Sequence, residues 1–348
     1  MSRLSESITS ESLARVVIIM PVYNEARHLS RVLESIAAQT FDHERLFFVG
    51  IDGNSDDGSA QILRTWLMQS GIAGRIIVNP RRKIPISLNL GLDQTIDDDI
   101  ILRFDAHTIY GPAYVAEAVY ALESAPADVG CVGCAYRPER GRTFEERVVE
   151  ALYTNPLGLG GADFRFGDQV REVDNVYLGA WRRGILTSCG GFNETLEANE
   201  DGEMSARIRQ MGYRILRVPL PCRCLVKRGV IGSIRQWSRY GYWRAKMLQH
   251  NPRFIRLRHV LSPAAVLLVS GLALSPLRVL LPALFGVYVV LVFIGRAKEE
   301  PLAITVATCA FFPVLQFGFG VGMLSGLLTG RGKPWPPRYG SPARQSQG

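Results

Sequence analysis

Three short clusters of acidic and polar residues follow apolar runs of the sequence, and their carboxylates and amides could bind a ligand or a cation. The clusters are Pro21-Val22-Tyr23-Asn24-Glu25, Asp52-Gly53-Asn54-Ser55-Asp56-Asp57-Gly58 and Asp105-Ala106-His107. A single acidic turn is usually a solvated loop. Three such turns at the same edge of a sheet would instead favour a binding site.

Two further groups in the second half of the chain could take part in chemistry. Glu200 and Asp201 stand at the start of a predicted helix, where an acidic pair can either compensate the helix dipole or supply a general base. Residues 235–244 interleave arginines with aromatic rings. That pattern is typical of an interfacial helix, and it also suits a site that binds a pyrophosphate and stacks on a sugar or base. The residues alone leave both alternatives open.

The elements that would position these groups alternate between strand and helix. Val16–Met20, Leu46–Ile51 and Ile100–Phe104 are apolar runs typical of buried strands, and Pro112–Leu122 has the spacing of a helix. This alternation predicts an α/β fold with a mostly parallel sheet flanked by helices, whose carboxyl edge would gather the three clusters. A Rossmann dehydrogenase would place a glycine-rich turn after the first strand, where Pro21 stands instead.

The segment between Arg137 and Arg171 reads as irregular, because it is rich in glycine, arginine and proline. It includes the run Gly158-Leu159-Gly160-Gly161. The segment is either a surface excursion or a loop that closes over an acceptor, and the composition does not separate the two.

The sequence from Val260 onward predicts a membrane region. Three nearly uncharged stretches follow one another there: Val260–Leu277, Val279–Gly295 and Leu302–Gly330. Each is close to the roughly 17–25 apolar residues that a spanning helix needs. Arginines at positions 253, 256 and 258 precede the first stretch, which places the preceding residues in the cytoplasm by the positive-inside tendency. We therefore expect an inner-membrane, multi-pass protein with a cytoplasmic catalytic domain, with two or three spans left open.

The composition narrows the classes of partner and of cysteine chemistry. A formal net charge of +8 fits anionic lipid headgroups and a phosphate-bearing substrate, and no nucleic-acid-binding motif accompanies it. We therefore expect no nucleic-acid partner. The six cysteines include two close pairs, but no histidine stands at ligand spacing near either pair. Buried, reduced thiols are the favoured interpretation over a zinc site.

Together, the motifs resemble those of glycosyltransferase family 2, the inverting enzymes with a GT-A fold, across about residues 15 to 250. The similar segments are Pro21-Val22-Tyr23-Asn24-Glu25, the acidic loop from Asp52 to Gly58, Asp105-Ala106-His107, Glu200-Asp201 and Gln236-Trp237-Ser238-Arg239-Tyr240. Within the family, Arg103 to His107, Gly179 to Arg183 and the membrane tail are most similar to the succinoglycan, or exopolysaccharide, glucosyltransferase group. Two positions depart from the family pattern: His107 replaces a metal-motif carboxylate and Tyr240 replaces a tryptophan.

The resemblance implies a role for each matching residue. Asp201 would be the catalytic base, and Mn²⁺ or Mg²⁺ would be held by Asp105 and His107. The donor would contact Pro21, Tyr23, Asn24, Glu25, Asp52, Asp57 and Asp105. The acceptor and the diphosphate would contact Glu200, Arg235, Gln236, Arg239 and Tyr240.

The expected reaction is metal-dependent transfer of a sugar, glucose by resemblance to the group above, from a UDP-sugar. The acceptor would be a polyprenyl-phosphate-linked saccharide or a polysaccharide precursor, reached at the membrane lipid. The predicted organisation is a disordered tail (1–14), a GT-A domain (15–250), an anchor of two to three apolar helices (251–330) and a basic tail (331–348).

Three other functions compete with this expectation. A processive polysaccharide synthase would need a polymer channel, which two or three helices hardly enclose. A nucleotidyltransferase would show a glycine-rich pyrophosphate loop after the first strand, and none is present there. A non-catalytic membrane scaffold would have no need to retain Asp52, Asp105 and Asp201 together.

Overall fold

The computed structural model describes residues 14–155, 169–225, 229–250, 257–295, 300–330 and 335–339. The strands are β1 (Val16–Val22), β2 (Leu46–Asp52), β3 (Ala73–Val78), β4 (Ile100–Arg103), β5 (Thr108–Tyr110), β6 (Val129–Cys134), β7 (Arg171–Glu172), β8 (Tyr177–Arg182), β9 (Arg214–Arg217) and β10 (Cys222–Cys224). The helices are α1 (Ala26–Ala37), α2 (Ser59–Gln69), α3 (Ile84–Leu92), α4 (Tyr114–Glu123), α5 (Phe144–Thr154), α6 (Arg183–Ser188), α7 (Glu200–Gln210), α8 (Val230–His250), α9 (Leu257–Ala273), α10 (Leu281–Ile294) and α11 (Leu302–Leu328).

Some predictions concern residues outside these ranges. They are the glycine run 158–161, the arginines at 253 and 256, nearly all of the N-terminal tail 1–14 and most of the basic tail 331–348.

Eight strands form one mixed sheet in the order β3-β2-β1-β4-β8-β6-β9-β7. Strands β1 to β4 pair in parallel, which confirms the predicted mostly parallel sheet for this half. Strand β8 enters antiparallel between β4 and β6, a reversal that the alternation of elements did not predict. Strands β5 and β10 form a separate two-stranded ribbon.

The core lies on both faces of the sheet because successive side chains of a strand point to opposite faces. In β1, Val16, Ile18 and Met20 pack into one buried cluster, whereas Val17 and Ile19 pack into the other. A strand that is buried on both faces must be apolar throughout, which is why this run lacks the alternation of a half-exposed strand.

The segment predicted to be irregular between Arg137 and Arg171 contains helix α5. The helix begins at a capping box, in which the Thr143 side chain accepts from the Glu146 backbone and the Glu146 carboxylate accepts from the Thr143 backbone. Such a box satisfies backbone donors that the first helical turn would otherwise leave unpaired. Helix α5 packs against α11, so this part of the segment is a structural support.

Helices α8 and α11 run in the same direction and pack closely along most of the length of α8. Glycines allow this approach. A Cβ atom on Gly241 would lie 2.0 Å from the carbonyl oxygen of Phe319, and one on Gly322 would lie 2.0 Å from that of Ser238. The predicted anchor is therefore packed against the helix that carries the Gln236–Tyr240 motif.

Two helices of the described chain are long and apolar enough to cross a membrane, Pro276–Ile294 and Leu302–Leu328. The predicted stretch from Val260 forms α9, which is shorter than that. Helices α9 and α10 are joined by a 3₁₀ turn and carry many exposed apolar side chains, among them Leu267 and Leu284.

Candidate functional site

A cavity of about 920 Å³ opens at the carboxyl edge of the parallel strands. It is lined by ten of the predicted site residues: Pro21, Tyr23, Glu25, Asp105, His107, Glu200, Asp201, Gln236, Arg239 and Tyr240. Register explains part of this convergence, because Val22 at the end of β1 pairs with Asp52 at the end of β2, and Ile19 pairs with Arg103 at the end of β4. The predicted meeting of the three clusters at one edge is confirmed.

Four other predicted site residues, Asn24, Asp52, Asp57 and Arg235, do not line this cavity. Asn24 and Asp57 hold the first two loops together, and Asp52 orders the second loop. The Asn24 amide donates to Asp56, the Asp52 carboxylate accepts from the backbone of Ser55, and the Asp57 carboxylate accepts from the backbone N–H of Ala26 and from Ser59. These contacts shape the turn. Arg235 is exposed on α8.

Arg103 forms the ionic centre of the cavity floor. Its Nε lies 3.2 Å from Asp105 Oδ1 and its Nη1 lies 3.0 Å from Glu200 Oε1. Burial alone would raise the pKa of Asp105, but Arg103 and His107 hold it below its usual value. Burial raises the pKa of Glu200, with Arg103 opposing the rise and Asp201 adding to it. Because a lone buried carboxylate is costly, Arg103 is what allows two of them here.

The two residues of the acidic pair on α7 have different surroundings. Glu200 is 4% exposed and paired with Arg103, whereas Asp201 is only partly buried. The Asp201 carboxylate accepts from the backbone N–H of Gly202 at 2.7 Å and from the Asn175 amide at 3.3 Å. Asn175 is itself fixed by the Ser205 hydroxyl. Asp201 is thus an oriented carboxylate on the cavity wall, as a general base requires.

His107 lies between an acid and a thiol. Its Nδ1 is 3.5 Å from Glu25 Oε1, and the ring also interacts with Cys224. Burial alone would lower the pKa of His107, but Cys224, Glu25 and Asp105 raise it to about 10. Glu25 and Asp105 therefore surround His107 with negative charge, and its role as a metal ligand stays a prediction.

The described residues include no group of three or more histidine, cysteine, aspartate or glutamate side chains arranged to hold a metal. Asp105, the other predicted ligand, accepts a hydrogen bond from Arg103. Mg²⁺ is often held by one or two carboxylates together with substrate phosphates and water. The residues thus fit an ion that binds together with a diphosphate, and the described ligands do not form a cage of their own.

The predicted Gln236–Tyr240 motif lies on α8, and all of its residues except Ser238 line the cavity. The Gln236 amide donates to the Tyr240 hydroxyl one turn later. Asn199 connects this turn to the acidic pair, since its amide donates to the Tyr240 carbonyl and it accepts from Arg244. The turn that carries Tyr240 is therefore attached to the residue directly before the acidic pair.

Residues Arg81, Arg82 and Lys83 also line the cavity, and the sequence analysis did not include them. Arg82 has a positive φ of 59°, and its guanidinium lies over the Tyr23 ring and donates to the Tyr23 hydroxyl at 3.1 Å. A basic run shortly after the short apolar run of β3 was the available signal, because such a loop reaches the same edge as the acidic clusters. Three cations there suit the oxygens of a diphosphate.

All six cysteines are free and buried, which confirms the predicted burial of the thiols. Burial alone would raise the pKa of Cys224, but its hydrogen bond with His107 lowers it.

Comparison with known proteins identifies related sequences along most of the chain. The family model "Glycosyl transferase family 2" matches residues 17–169, and "Glycosyl transferase family group 2" matches residues 100–321. The succinoglycan biosynthesis protein ExoA of Rhizobium meliloti (strain 1021) is 26% identical over 338 residues, which cover 94% of this chain and 98% of that protein.

Two archaeal proteins are also similar. A dolichyl N-acetyl-α-D-glucosaminyl phosphate 3-β-D-2,3-diacetamido-2,3-dideoxy-β-D-glucuronosyltransferase of Methanococcus voltae is 20% identical, covering 90% of this chain and 98% of that protein. The solved structure of the mannosyltransferase PcManGT from Pyrobaculum calidifontis, in complex with GDP-Man and Mn²⁺, has a TM-score of 0.62 at 19% identity. That match covers 94% of this chain and 91% of the other, which shows a shared fold.

Proposed function

This chain belongs to glycosyltransferase family 2, and from that premise we propose that it transfers a sugar from a UDP-sugar to a membrane-held acceptor in exopolysaccharide synthesis. The observation that carries the proposal is the single cavity that joins a basic rim, an oriented aspartate and apolar helices. Its lining includes Arg82 at the rim, Asp201 on the wall and Phe319 of α11.

The proposed chemistry is a displacement at the anomeric carbon of the donor. Asp201 takes the proton of the acceptor hydroxyl while that oxygen attacks from the face opposite the leaving nucleotide, which inverts the configuration. General-base catalysis of this kind contributes about 10²–10⁴-fold. Arg81, Arg82, Lys83 and Arg239 line the same cavity and would stabilise the charge that develops on the diphosphate.

We propose that Asp105 is the protein ligand of a Mn²⁺ or Mg²⁺ ion that binds with the donor. Bound there, the ion would neutralise charge on the leaving diphosphate. The Mn²⁺ in the archaeal mannosyltransferase of similar fold supports this proposal.

The name of the Rhizobium relative supports the exopolysaccharide assignment, and glucose is the proposed sugar. The mannosyltransferase of similar fold was solved with GDP-Man, so the assay of the donor should include both UDP-sugars and GDP-mannose.

The proposed location is the inner membrane, with the catalytic domain in the cytoplasm and more than one pass through the bilayer. The exposed apolar side chains of α9 and α10 support insertion of this pair of helices. The domain limits 15–250 and 251–330 remain predictions, and the contact of α8 with α11 makes the two parts one packed unit.

A direct test supplies membranes containing the protein with a panel of labelled nucleotide sugars, including UDP-glucose and GDP-mannose, and measures label in the lipid extract. We expect label from UDP-glucose, lost on addition of EDTA and in Asp105→Asn. Label only in water-soluble polymer would instead favour a processive synthase. Absence of both sugar transfer and UDP binding would favour the alternative that the protein is a non-catalytic membrane scaffold.

A further inference from the structure

One part of the cavity wall belongs to α8 and the apolar helices, and it is here called the membrane limb. It is lined by Trp237 of α8, Leu261, Ser262 and Ala265 of α9, Tyr288 of α10, and Gln316 and Phe319 of α11. The same cavity includes Asp201 and Arg82. A ligand in the limb would therefore be continuous with the place where the sugar is transferred.

The outer end of the membrane limb is apolar and open. Leu261 is 55% exposed and Ala265 is exposed, although both line the cavity. Further along α9, Leu267 and Leu268 are exposed on the same helix. The cavity thus reaches the surface among side chains that water solvates poorly and hydrocarbon would cover.

The inner end of the limb holds two buried hydrogen-bond donors. Trp237 is 8% exposed, and neither its Nε1 nor the Tyr288 hydroxyl has a partner within the part of the chain that the structure describes. Trp237 is held in place by the edges of the Tyr153 and Phe319 rings. A buried donor without an acceptor is costly, so both positions favour a ligand that brings oxygen atoms.

A polar pair separates the two ends. The Ser262 hydroxyl donates to Gln316 Oε1 at 2.7 Å, which connects α9 to α11 across the limb. From the inside outward, the limb is therefore lined by hydrogen-bond donors, then by the Ser262–Gln316 pair, and then by apolar side chains. That order matches an amphiphile whose head lies inward and whose chain leads out.

We propose that the membrane limb binds a lipid-linked acceptor, with phosphate or sugar oxygens at Trp237 and Tyr288 and the first part of the hydrocarbon chain between Leu261, Ala265 and Phe319. This inference rests on the proposed transferase function and adds the place where the lipid enters. The chain leaves the protein sideways between α9 and α11. The acceptor then need not be extracted from the bilayer to reach Asp201.

The test compares two acceptors with the same head group, one with a long isoprenoid chain and one with a short, water-soluble chain. A long chain keeps the head group at the membrane beside the limb and so raises its effective concentration near Asp201. The wild-type protein is expected to use the long-chain acceptor with a kcat/KM at least about tenfold higher. In Ala265→Trp, whose indole fills the mouth of the limb, this preference for the long-chain acceptor should disappear.

Leu268→Trp is the matched control, because it adds an indole to the same helix at a side chain that is 57% exposed and outside the cavity. It should keep the chain-length preference. Equal use of both acceptors by the wild type, or an unchanged preference in Ala265→Trp, would contradict the inference.

Equilibrium binding of the two acceptors without donor separates this inference from the proposed function. Tighter binding of the long chain by the wild type than by Ala265→Trp, with no transfer of any sugar, would support the limb and contradict the transferase. Transfer of sugar to both acceptors, with equal binding of the two, would support the transferase and contradict the limb. Trp237→Phe, which keeps the ring packing and removes the N–H, should weaken binding of both acceptors alike.

Discussion

At the scale of single residues, the cavity separates a negative floor from a positive rim. Arg103 carries one positive charge among three carboxylates, those of Asp105, Glu200 and Asp201. At the rim, the hydrogen bonds of Arg82 within the described chain go to the Tyr23 hydroxyl and the Asn54 carbonyl, which are both uncharged. The positive rim suits the diphosphate, and the ion proposed at Asp105 would offset the negative charge of the floor beside it.

Replacement of Arg103 by lysine tests its double contact. A lysine keeps the charge but cannot present two donors in the fixed fork that reaches Asp105 and Glu200. We expect loss of one charged hydrogen bond, about 1.5–3 kcal/mol of unfolding free energy, together with reduced turnover. Thermal unfolding in detergent measures the first. Arg75→Lys, an exposed arginine bonded to Gln94, is the control and should change neither quantity.

Replacement of Arg82 by alanine tests the rim. If Arg82 binds the diphosphate, KM for the nucleotide sugar should rise about tenfold or more, with a smaller effect on kcat. Arg64→Ala, on the exposed side of α2, is the matched control. An unchanged KM in Arg82→Ala would remove this residue from the donor site.

Residue types and spacing predicted much of the acidic part of the cavity, but only Arg239 of its basic part. The sequence alone indicates the chemistry of the short motifs that contain Asp105, Glu200 and Asp201. The partner of Glu200 is Arg103, which is distant in sequence and reaches it only because β4 and the start of α7 meet in the folded chain. Asp57 and Asn24 stand in equally polar motifs, yet their side chains bond within the loops.

At the scale of elements, the contact between α8 and α11 positions the aromatic motif. The close approach depends on glycine, and Gly241→Ala would place a methyl group against the backbone of Phe319, which cannot move aside as a side chain would. An alanine in an open helix adds about 0.5–1 kcal/mol of stability, whereas a forced overlap of this kind costs about 1–3 kcal/mol.

The prediction is a lower unfolding temperature for Gly241→Ala in detergent and an equal or higher one for Gly271→Ala. Gly271 is the control because no atom of the described residues lies within 4 Å of the position its Cβ would take. An equal change in unfolding temperature for the two variants would contradict the close approach of α8 and α11.

Hydropathy predicted α11 as an apolar helix but could not predict its neighbours. Its 27 residues pass the length and composition test for a span, yet a third of the most apolar window is buried against the rest of the protein. Helix α5 was missed although its capping box, from Thr143 to Glu146, is a local signal of a helix start. Strand β8 was missed because its pairing with β4 and β6 is a tertiary contact that a local pattern does not contain.

At the scale of the whole molecule, both ends of α11 are attached to the catalytic half. Near its start, Glu300 forms an ion pair with Arg147 of α5 at 2.8 Å, and at its end Lys246 of α8 donates to Thr329. The following residues return to the same half, where Arg338 pairs with Asp93 and Glu194. We therefore expect the part of the chain after α11 to lie on the catalytic side of the membrane.

Cysteine labelling with an impermeant reagent tests this topology, since all six native cysteines are buried. The reporter is Pro336→Cys, at an exposed position after α11, and the catalytic-half control is Met68→Cys, which is exposed on α2. In sealed right-side-out vesicles, both cysteines should stay unlabelled until the membrane is opened. Labelling of Pro336→Cys alone in sealed vesicles would place the tail on the outer side and contradict this topology.

The central claim is that Asp201 is the base of a sugar transfer, and one comparison tests it most directly. Transfer from the identified donor and nucleotide binding are measured side by side for the wild type, Asp201→Asn and the exposed-site control Asp128→Asn. We predict that Asp201→Asn loses about 10²–10⁴-fold in transfer with nucleotide binding and unfolding temperature unchanged, and that the control matches the wild type in transfer. Near-normal transfer by Asp201→Asn would contradict the account.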